Sequence, residues 1–408
     1  MPPAFSGQYW ALSANVIQAL VSWGVLLVLV RLGTEKDVGV FAYIQALLTP
    51  IQLFFTLKLR TVQCSDAQQL YLHSSYHGVR KQTSILCVIF GAIFLAFFSE
   101  DRMVLFSGFA LLLSYAVLIL RESYISIAQF GRQNKIFFFI NATNGLLSLP
   151  VFLALFWVTN DLLLGLAVLA IARAFSYAFL ERAIFSRYFN ISLLRKPDAG
   201  RAMYLAIWKS SWPLGVAALM GGLFTSLPRF AVKDLLGFEK LAIYATLGSL
   251  LVVFNLLVNS AVQTALPALS TEYLENKRRF YLYMRKAVGR LALLGVVSYI
   301  FAILFGKIAL HIVFGPSYAQ YSDLLMYVVS SGISLALFSI GNLLLSSQRS
   351  FFIQFPIYTI TAGAIWIFSY YLVPEHEIRG AFMAQIAGYI FGAALCWLFF
   401  VRLKRATD

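Results

Sequence analysis

The sequence is poor in charged residues and lacks paired cysteines. Of its 408 residues, 12% are charged and 60% are hydrophobic, and the mean hydropathy is +0.79. Because a soluble domain usually carries about 25% charged residues, an ordinary soluble enzyme, a disordered chain and a fibrous protein are excluded. Cys64, Cys87 and Cys396 have no CxxC or other paired spacing, so they predict neither a disulfide framework nor a zinc site.

Motifs of metal and enzyme chemistry are also missing. His73 and His77 stand four residues apart and could share a helix face, but the sequence offers no third ligand nearby, so we do not expect a metal site. We find no GxSxG motif, no P-loop and no GxGxxG in a strand context. The sequence therefore predicts a protein that is not an enzyme and that binds no cofactor, with coupling to H⁺ or Na⁺ left open.

The sequence consists largely of long apolar runs. A helix that crosses a bilayer takes about 20 largely apolar residues, and twelve runs are candidates, of which the third and fourth are short. Runs such as 87–98 and 162–172 are apolar on every side, unlike the alternating strands of a barrel. The first run has no basic residue before it and predicts a retained helix. The twelve predicted spans are 9–31, 38–57, 84–99, 103–120, 136–158, 162–181, 210–231, 241–264, 288–306, 321–345, 352–373 and 380–401.

The basic residues predict the orientation of these spans. Lys and Arg number 32 against 17 Asp and Glu, a formal net charge of +15, and most of them fall in alternate loops. Since basic residues accumulate in cytoplasmic loops, we expect both termini in the cytoplasm, which agrees with an even number of spans. The excess of basic residues is then explained by the membrane topology, and it does not indicate binding to nucleic acid.

A repeat divides the chain into halves. Leu-Gly-Thr-Glu-Lys at 32–36 and Leu-Gly-Phe-Glu-Lys at 236–240 lie half a chain apart, each between an odd span and the next even span. This spacing indicates a parallel repeat of six spans, related by an axis along the membrane normal. We therefore predict an N-terminal lobe at 1–190, a cytoplasmic linker at 191–209 and a C-terminal lobe at 210–408.

Polar residues inside the spans mark candidate binding positions, because such residues are expensive in lipid. Several recur at helical spacing and could either line a wet cavity or form hydrogen bonds between helices. The candidates with amide side chains are Asn15, Gln18, Asn141, Asn144, Asn255 and Asn259.

The charged residues inside the spans are positive, whereas a cation pump needs a buried carboxylate. We find no Asp or Glu near the middle of a predicted span, and Glu122, Glu181 and Asp234 lie at span edges. Arg173 lies halfway along the sixth span and Arg229 near the outer end of the seventh. A buried guanidinium suits a phosphate-bearing substrate. The alternatives are a bond from Arg173 to backbone carbonyls and snorkelling of Arg229 to the surface.

The order of several short segments resembles a known family. Beside the repeated Leu-Gly-x-Glu-Lys, these are QFGRQNK at 129–135, PALS at 267–270 and FGPSY at 314–318. With twelve spans and a midpoint repeat, the chain resembles the Wzx-type polysaccharide flippases of the multidrug/oligosaccharidyl-lipid/polysaccharide (MOP) exporter superfamily. It departs from the family at Pro228, where an acidic or amide residue often precedes the arginine.

The resemblance implies an all-α, MATE-like membrane protein of two pseudo-symmetric six-helix lobes in a V. It implies transport of an undecaprenyl-pyrophosphate-linked oligosaccharide of O-antigen, capsule or exopolysaccharide across the bacterial inner membrane by alternating access. Expected partners are that substrate, membrane lipid and, in the same membrane, a glycan polymerase and a chain-length regulator. The alternatives are a drug or cation exporter of the same superfamily and, less favoured by the short outward loops, a glycan polymerase or ligase.

Overall fold

The structure, a computed structural model, describes residues 4–66, 70–99, 101–195, 201–252, 254, 277–347 and 351–407. The described residues contain ten helical segments that are long and apolar enough to cross a membrane. In lipid, every backbone N–H and C=O must find its partner within the segment, and helices satisfy this condition. The all-α membrane fold class predicted from the sequence is confirmed.

The chain divides into two compact units, an N-terminal unit Met1–Gly222 and a C-terminal unit Leu223–Asp408. The division falls inside one long helix. The helices of the N-terminal unit are α1 Ala4–Leu32, α2 Glu35–Phe55, α3 Leu59–Ser65, α4 His73–Phe98, α5 Arg102–Phe130, α6 Asn134–Thr159, α7 Leu162–Phe175, α8 Arg182–Tyr188 and α9 Ser192–Arg195, with a π-helical turn, Ser176–Glu181, between α7 and α8.

The helix α10, Arg201–Gly248, contributes residues to both units and is interrupted at Gly237. The helices α11 Lys277–Phe314, α12 Leu325–Ser347 and α13 Phe351–Thr407 follow, with a 3₁₀ segment, Pro316–Leu324, before α12 and a backbone break at Glu377 inside α13. The seventh and eighth predicted spans lie on either side of Gly237, and the eleventh and twelfth on either side of Glu377. Each break therefore separates two predicted spans.

Side-chain caps start the helices that follow the tight turns of the N-terminal unit. Thr34 accepts a hydrogen bond from the backbone N–H of Asp37 (3.2 Å), and the Asp37 carboxylate accepts one from the Thr34 N–H (3.0 Å). Asp101 caps α5 and Asp161 caps α7 in the same manner. These caps satisfy N–H groups that have no partner within the helix.

Several helices are longer than the apolar runs from which they were predicted. The helix α4 begins at His73, eleven residues before the predicted edge, and its first three turns bury polar side chains. The helix α5 continues past the predicted end at residue 120 as far as Phe130. A hydropathy pattern detects the lipid-facing part of a helix and misses the part that packs polar groups against its neighbours. The predicted edges at 84 and 120 are therefore wrong.

The two halves of the sequence repeat end helices by different means. In the first half, α1 ends at Leu32 and Thr34 caps α2. In the second half, Gly237 has φ 84° and ψ −178°, a conformation that essentially only glycine adopts. Both motifs thus lie where one predicted span gives way to the next.

We expect Gly237→Ala to destabilise the protein, because a Cβ at this φ and ψ costs about 1–3 kcal/mol. The measurement is the midpoint of thermal unfolding in detergent. Gly221→Ala in the same helix is the matched control, since Gly221 has open space around its Cα and no positive φ. Equal midpoints for the two variants would contradict the expectation.

Candidate functional site

A small polar cavity lies within the N-terminal unit, among α1, α5, α6 and α7. Its interior is about 10 Å³, the space that one water molecule needs. The residues that line it are Gln18, Val21, Ser22, Leu118, Arg121, Asn141, Asn144 and Arg173. Two guanidinium groups and three amide side chains therefore meet at one point inside a membrane-spanning unit.

Arg173 brings an uncompensated positive charge to this cavity. It lies in the last turn of α7 and is 4% exposed. Its Nη1 donates to the Ser114 hydroxyl of α5 (2.6 Å), while its Nε is buried without a hydrogen-bond partner. Within the described part of the chain, no carboxylate lies within 4.0 Å of its guanidinium. A buried charge without a counter-ion is costly, which favours a functional role over a structural one.

Arg121, by contrast, has a buried counter-ion. Its Nε donates to both carboxylate oxygens of Glu181, at 3.1 and 3.2 Å. Arg121 is 2% exposed and Glu181 is fully buried. The Nη2 of Arg121 also donates to the backbone carbonyl of Ile140 (3.2 Å) and to the Asn141 side chain (3.1 Å). These bonds connect α5 and α6 to the π-helical turn.

The π-helical turn positions Glu181. Ser176 begins the turn and Glu181 ends it, and the Ser176 hydroxyl donates to Glu181 Oε1 over 3.2 Å. A π turn is wider than an α turn, is rare in proteins and is frequently found at functional sites. In this chain the π turn directs the Glu181 carboxylate, at the end of an apolar run, toward the interior of the N-terminal unit.

Two asparagines of α6 complete the network. The Asn141 Nδ2 donates to the backbone carbonyl of Ala14 (2.9 Å) and to the side chain of Gln18 (3.3 Å), both on α1. Asn144 lies beside the Glu181 carboxylate, but its Nδ2 forms no hydrogen bond of normal geometry. The α1 and α6 stripes seen in the sequence thus face each other, and Asn141 forms interhelical hydrogen bonds while it lines the cavity.

The structure brings some of the predicted site residues together and not others. Four of them, Gln18, Asn141, Asn144 and Arg173, line the cavity. Asn15 is half-buried on α1 and is not among the lining residues. Arg229 is half-buried in the C-terminal unit, with Tyr244 within electrostatic range. Two further candidates, Asn255 and Asn259, lie outside the described residues.

Sequence reasoning missed the buried acid. We expected no carboxylate near the middle of a span and placed Glu181 at a span edge. Glu181 is nevertheless fully buried, and the helical segment that begins at Leu162 continues beyond it to Tyr188. Arg121, which the topology argument assigned to a cytoplasmic loop, is buried for the same reason, because α5 runs ten residues beyond the apolar stretch. The only available signal was that Arg121 directly follows a long apolar run and that Glu181 is the last residue of another.

A second buried arginine from the predicted loops lies in the N-terminal unit. Arg80 of α4 donates to Gln63 (2.9 Å) and to Ser126 (2.6 Å) and so connects α3, α4 and α5. The two histidines of α4 have different partners, because His73 bonds to Gln63 and His77 to Ser123. Each ring thus takes part in interhelical bonding.

Comparisons with known proteins agree with the sequence resemblance. The capsular polysaccharide biosynthesis protein CapF of Staphylococcus aureus is 29% identical over 389 residues, which cover 93% of this chain and 96% of CapF. No family model matches the chain. The resemblance to Wzx-type flippases of the MOP superfamily, drawn above from sequence segments, is confirmed.

Solved structures establish the fold. A multidrug resistance MATE family transporter of the MOP superfamily in its inward-facing conformation has a TM-score of 0.72 at 13% identity, covering 97% of this chain and 98% of its own. A point mutant of the Vibrio cholerae MATE transporter VcmN has a TM-score of 0.69 at 16% identity, covering 98% and 96%. The predicted MATE-like fold is confirmed, and with ten helical segments able to cross a membrane among its described residues the chain is a multi-pass membrane protein.

We expect Arg121→Met and Glu181→Leu to destabilise the protein by about 3–5 kcal/mol each, since each leaves a buried charge without its partner. The double variant should recover most of this loss, because a matched apolar pair replaces the ion pair. Thermal unfolding of the single and double variants in detergent gives the coupling.

The exposed ion pair Arg379–Asp323 provides the control for this cycle. Exposed pairs contribute at most about 1 kcal/mol, so removing either partner there should change the unfolding midpoint little. A double variant of Arg121 and Glu181 no more stable than its singles would contradict the expectation.

Proposed function

We propose that this protein is a transporter of the MOP superfamily and that it moves an undecaprenyl-pyrophosphate-linked oligosaccharide across the bacterial inner membrane. The observation that carries the proposal is the buried guanidinium of Arg173, which has no counter-ion among the described residues and lies beside amide side chains. An anionic substrate supplies the missing charge, and amides supply hydrogen bonds for sugar hydroxyls. The likeness to a capsular polysaccharide biosynthesis protein supports the substrate class.

In the proposed mechanism the pyrophosphate binds Arg173, because a planar guanidinium donates to two phosphate oxygens at once. The Asn144 Nδ2, buried without a regular hydrogen bond, is placed to donate to the substrate. The polyprenyl tail stays in the lipid. A cavity of about 10 Å³ admits one water molecule, so alternating access has to widen it before the head group enters.

Export of a drug or cation is the second candidate function, favoured by the multidrug transporters of the same fold. A cationic substrate needs a surplus of carboxylate in its site. The cavity has the opposite balance, with Glu181 set against Arg121 and Arg173. Drug sensitivity of a deletion strain with intact surface glycan would favour this function over the first.

We expect Arg173→Ala to abolish surface glycan, because the variant loses the charge that holds the pyrophosphate. Surface glycan is measured by immunoblot in a strain that lacks the native gene, together with the amount of the protein in the membrane. Arg102→Ala is the matched control, since Arg102 is exposed at the start of α5. Normal glycan in Arg173→Ala would overturn the role of this residue.

We also expect both termini in the cytoplasm, as the distribution of basic residues predicts. Fusions of a periplasm-active reporter to either terminus should be inactive, and fusions within 99–102 should be active. An active terminal fusion would contradict this orientation.

A further inference from the structure

Arg121 is a second positive group in the cavity of Arg173, and its ion pair with Glu181 has an unusual setting. The two guanidinium groups line the same cavity and are close enough to repel each other. Glu181 neutralises one of them, so the described lining and its counter-ion hold two positive charges against one negative. A substrate with two phosphate groups matches two guanidinium groups better than one.

The carboxylate has other donors when Arg121 is taken away. The Ser176 hydroxyl already donates to Glu181 Oε1, and Asn144 lies beside the same carboxylate. Arg121 likewise keeps its bonds from Nη2 to Ile140 and Asn141 when its Nε leaves Glu181. Each partner therefore keeps hydrogen bonds in the separated state, which lowers the cost of opening the pair.

We infer that Arg121 is a second pyrophosphate-binding residue and that Glu181 is its built-in competitor, holding the guanidinium whenever the cavity lacks substrate. The inference rests on the proposed function and extends it to the release step. Two arginines closing on a pyrophosphate in a low-dielectric site would bind it too tightly for rapid turnover. When the Glu181 carboxylate pairs with Arg121 again, binding of the pyrophosphate weakens and its release is promoted.

The π-helical turn independently supports the role of Glu181 as the competitor for Arg121. It places the competitor and its alternative donor, Glu181 and Ser176, at its two ends. A regular α-helix over the same residues would rotate Glu181 away from its present direction. Local departures of this kind are rare and are frequently found at functional sites.

The test uses the purified full-length protein in detergent, with farnesyl pyrophosphate as the probe and farnesol as the uncharged control. Glu181→Gln should bind farnesyl pyrophosphate about tenfold more tightly than the wild type, since a charge-assisted hydrogen bond no longer competes. In the Arg121→Met background, Glu181→Gln should bring no gain. Farnesol affinity should be the same in all variants.

Glu181→Gln leaves Arg121 buried without its counter-ion and can lower folding yield, so Glu181→Asp is the second variant. Its carboxylate is one methylene shorter, which weakens the pair but keeps the charge, and it should bind the probe more tightly by a smaller factor. In both variants, farnesyl pyrophosphate should raise the unfolding midpoint by more than in the wild type. In cells, both should lower surface glycan because release slows.

Unchanged affinity in Glu181→Gln and Glu181→Asp, with weaker binding in Arg173→Ala, would overturn the inference and leave the proposed function standing. A gain that persists in the Arg121→Met background would also overturn it, because Arg121 would not be the group released. Wild-type protein that binds farnesyl pyrophosphate no better than farnesol would overturn both the inference and the head-group role of Arg173.

Discussion

The buried ion pair of Arg121 and Glu181 organises the N-terminal unit. Through it, α5 is joined to the π-helical turn, and the same guanidinium reaches α6, whose Asn141 in turn reaches α1. In lipid, the hydrophobic effect does not drive helices to associate. Polar contacts of this kind and close packing therefore determine which helices pair. The cavity lies where α1, α5 and α6 meet α7 around polar groups that lipid would not solvate.

Much of the fold was predictable from the sequence. Apolar runs predicted that the described residues form membrane-crossing helices and the order of those helices, and the repeated Leu-Gly segments marked places where helices end or break, as Gly237 shows. These features depend on local chemistry, on hydropathy and on backbone conformation. Helix ends at 84 and 120 were not predictable in this way, because the residues beyond them are polar and become buried only against other helices.

The site was predictable in part for the same reason. Helical spacing placed Asn141 and Asn144 on one face of α6, and the rarity of charge within an apolar run identified Arg173. Arg121 was missed because it follows the end of its run, where hydropathy alone predicts a loop, and Glu181 was missed because it is the last residue of its run, where hydropathy predicts an exposed edge. Only the continuation of the helices and the π-helical turn brings the two charges together, and this depends on tertiary packing.

The wide turn between α7 and α8 has a consequence for the helix that follows it. Successive residues of an α-helix are about 100° apart around the axis, and a π turn contains an extra residue, so it resets the rotational phase of α8. Phe185 is fully buried in α8, while Arg182 and Arg187 are exposed. Loss of one residue from Ser176–Glu181 would therefore rotate α8 by about 100° and turn Phe185 away from its buried position. At this place the length of the segment carries structural information that its composition does not.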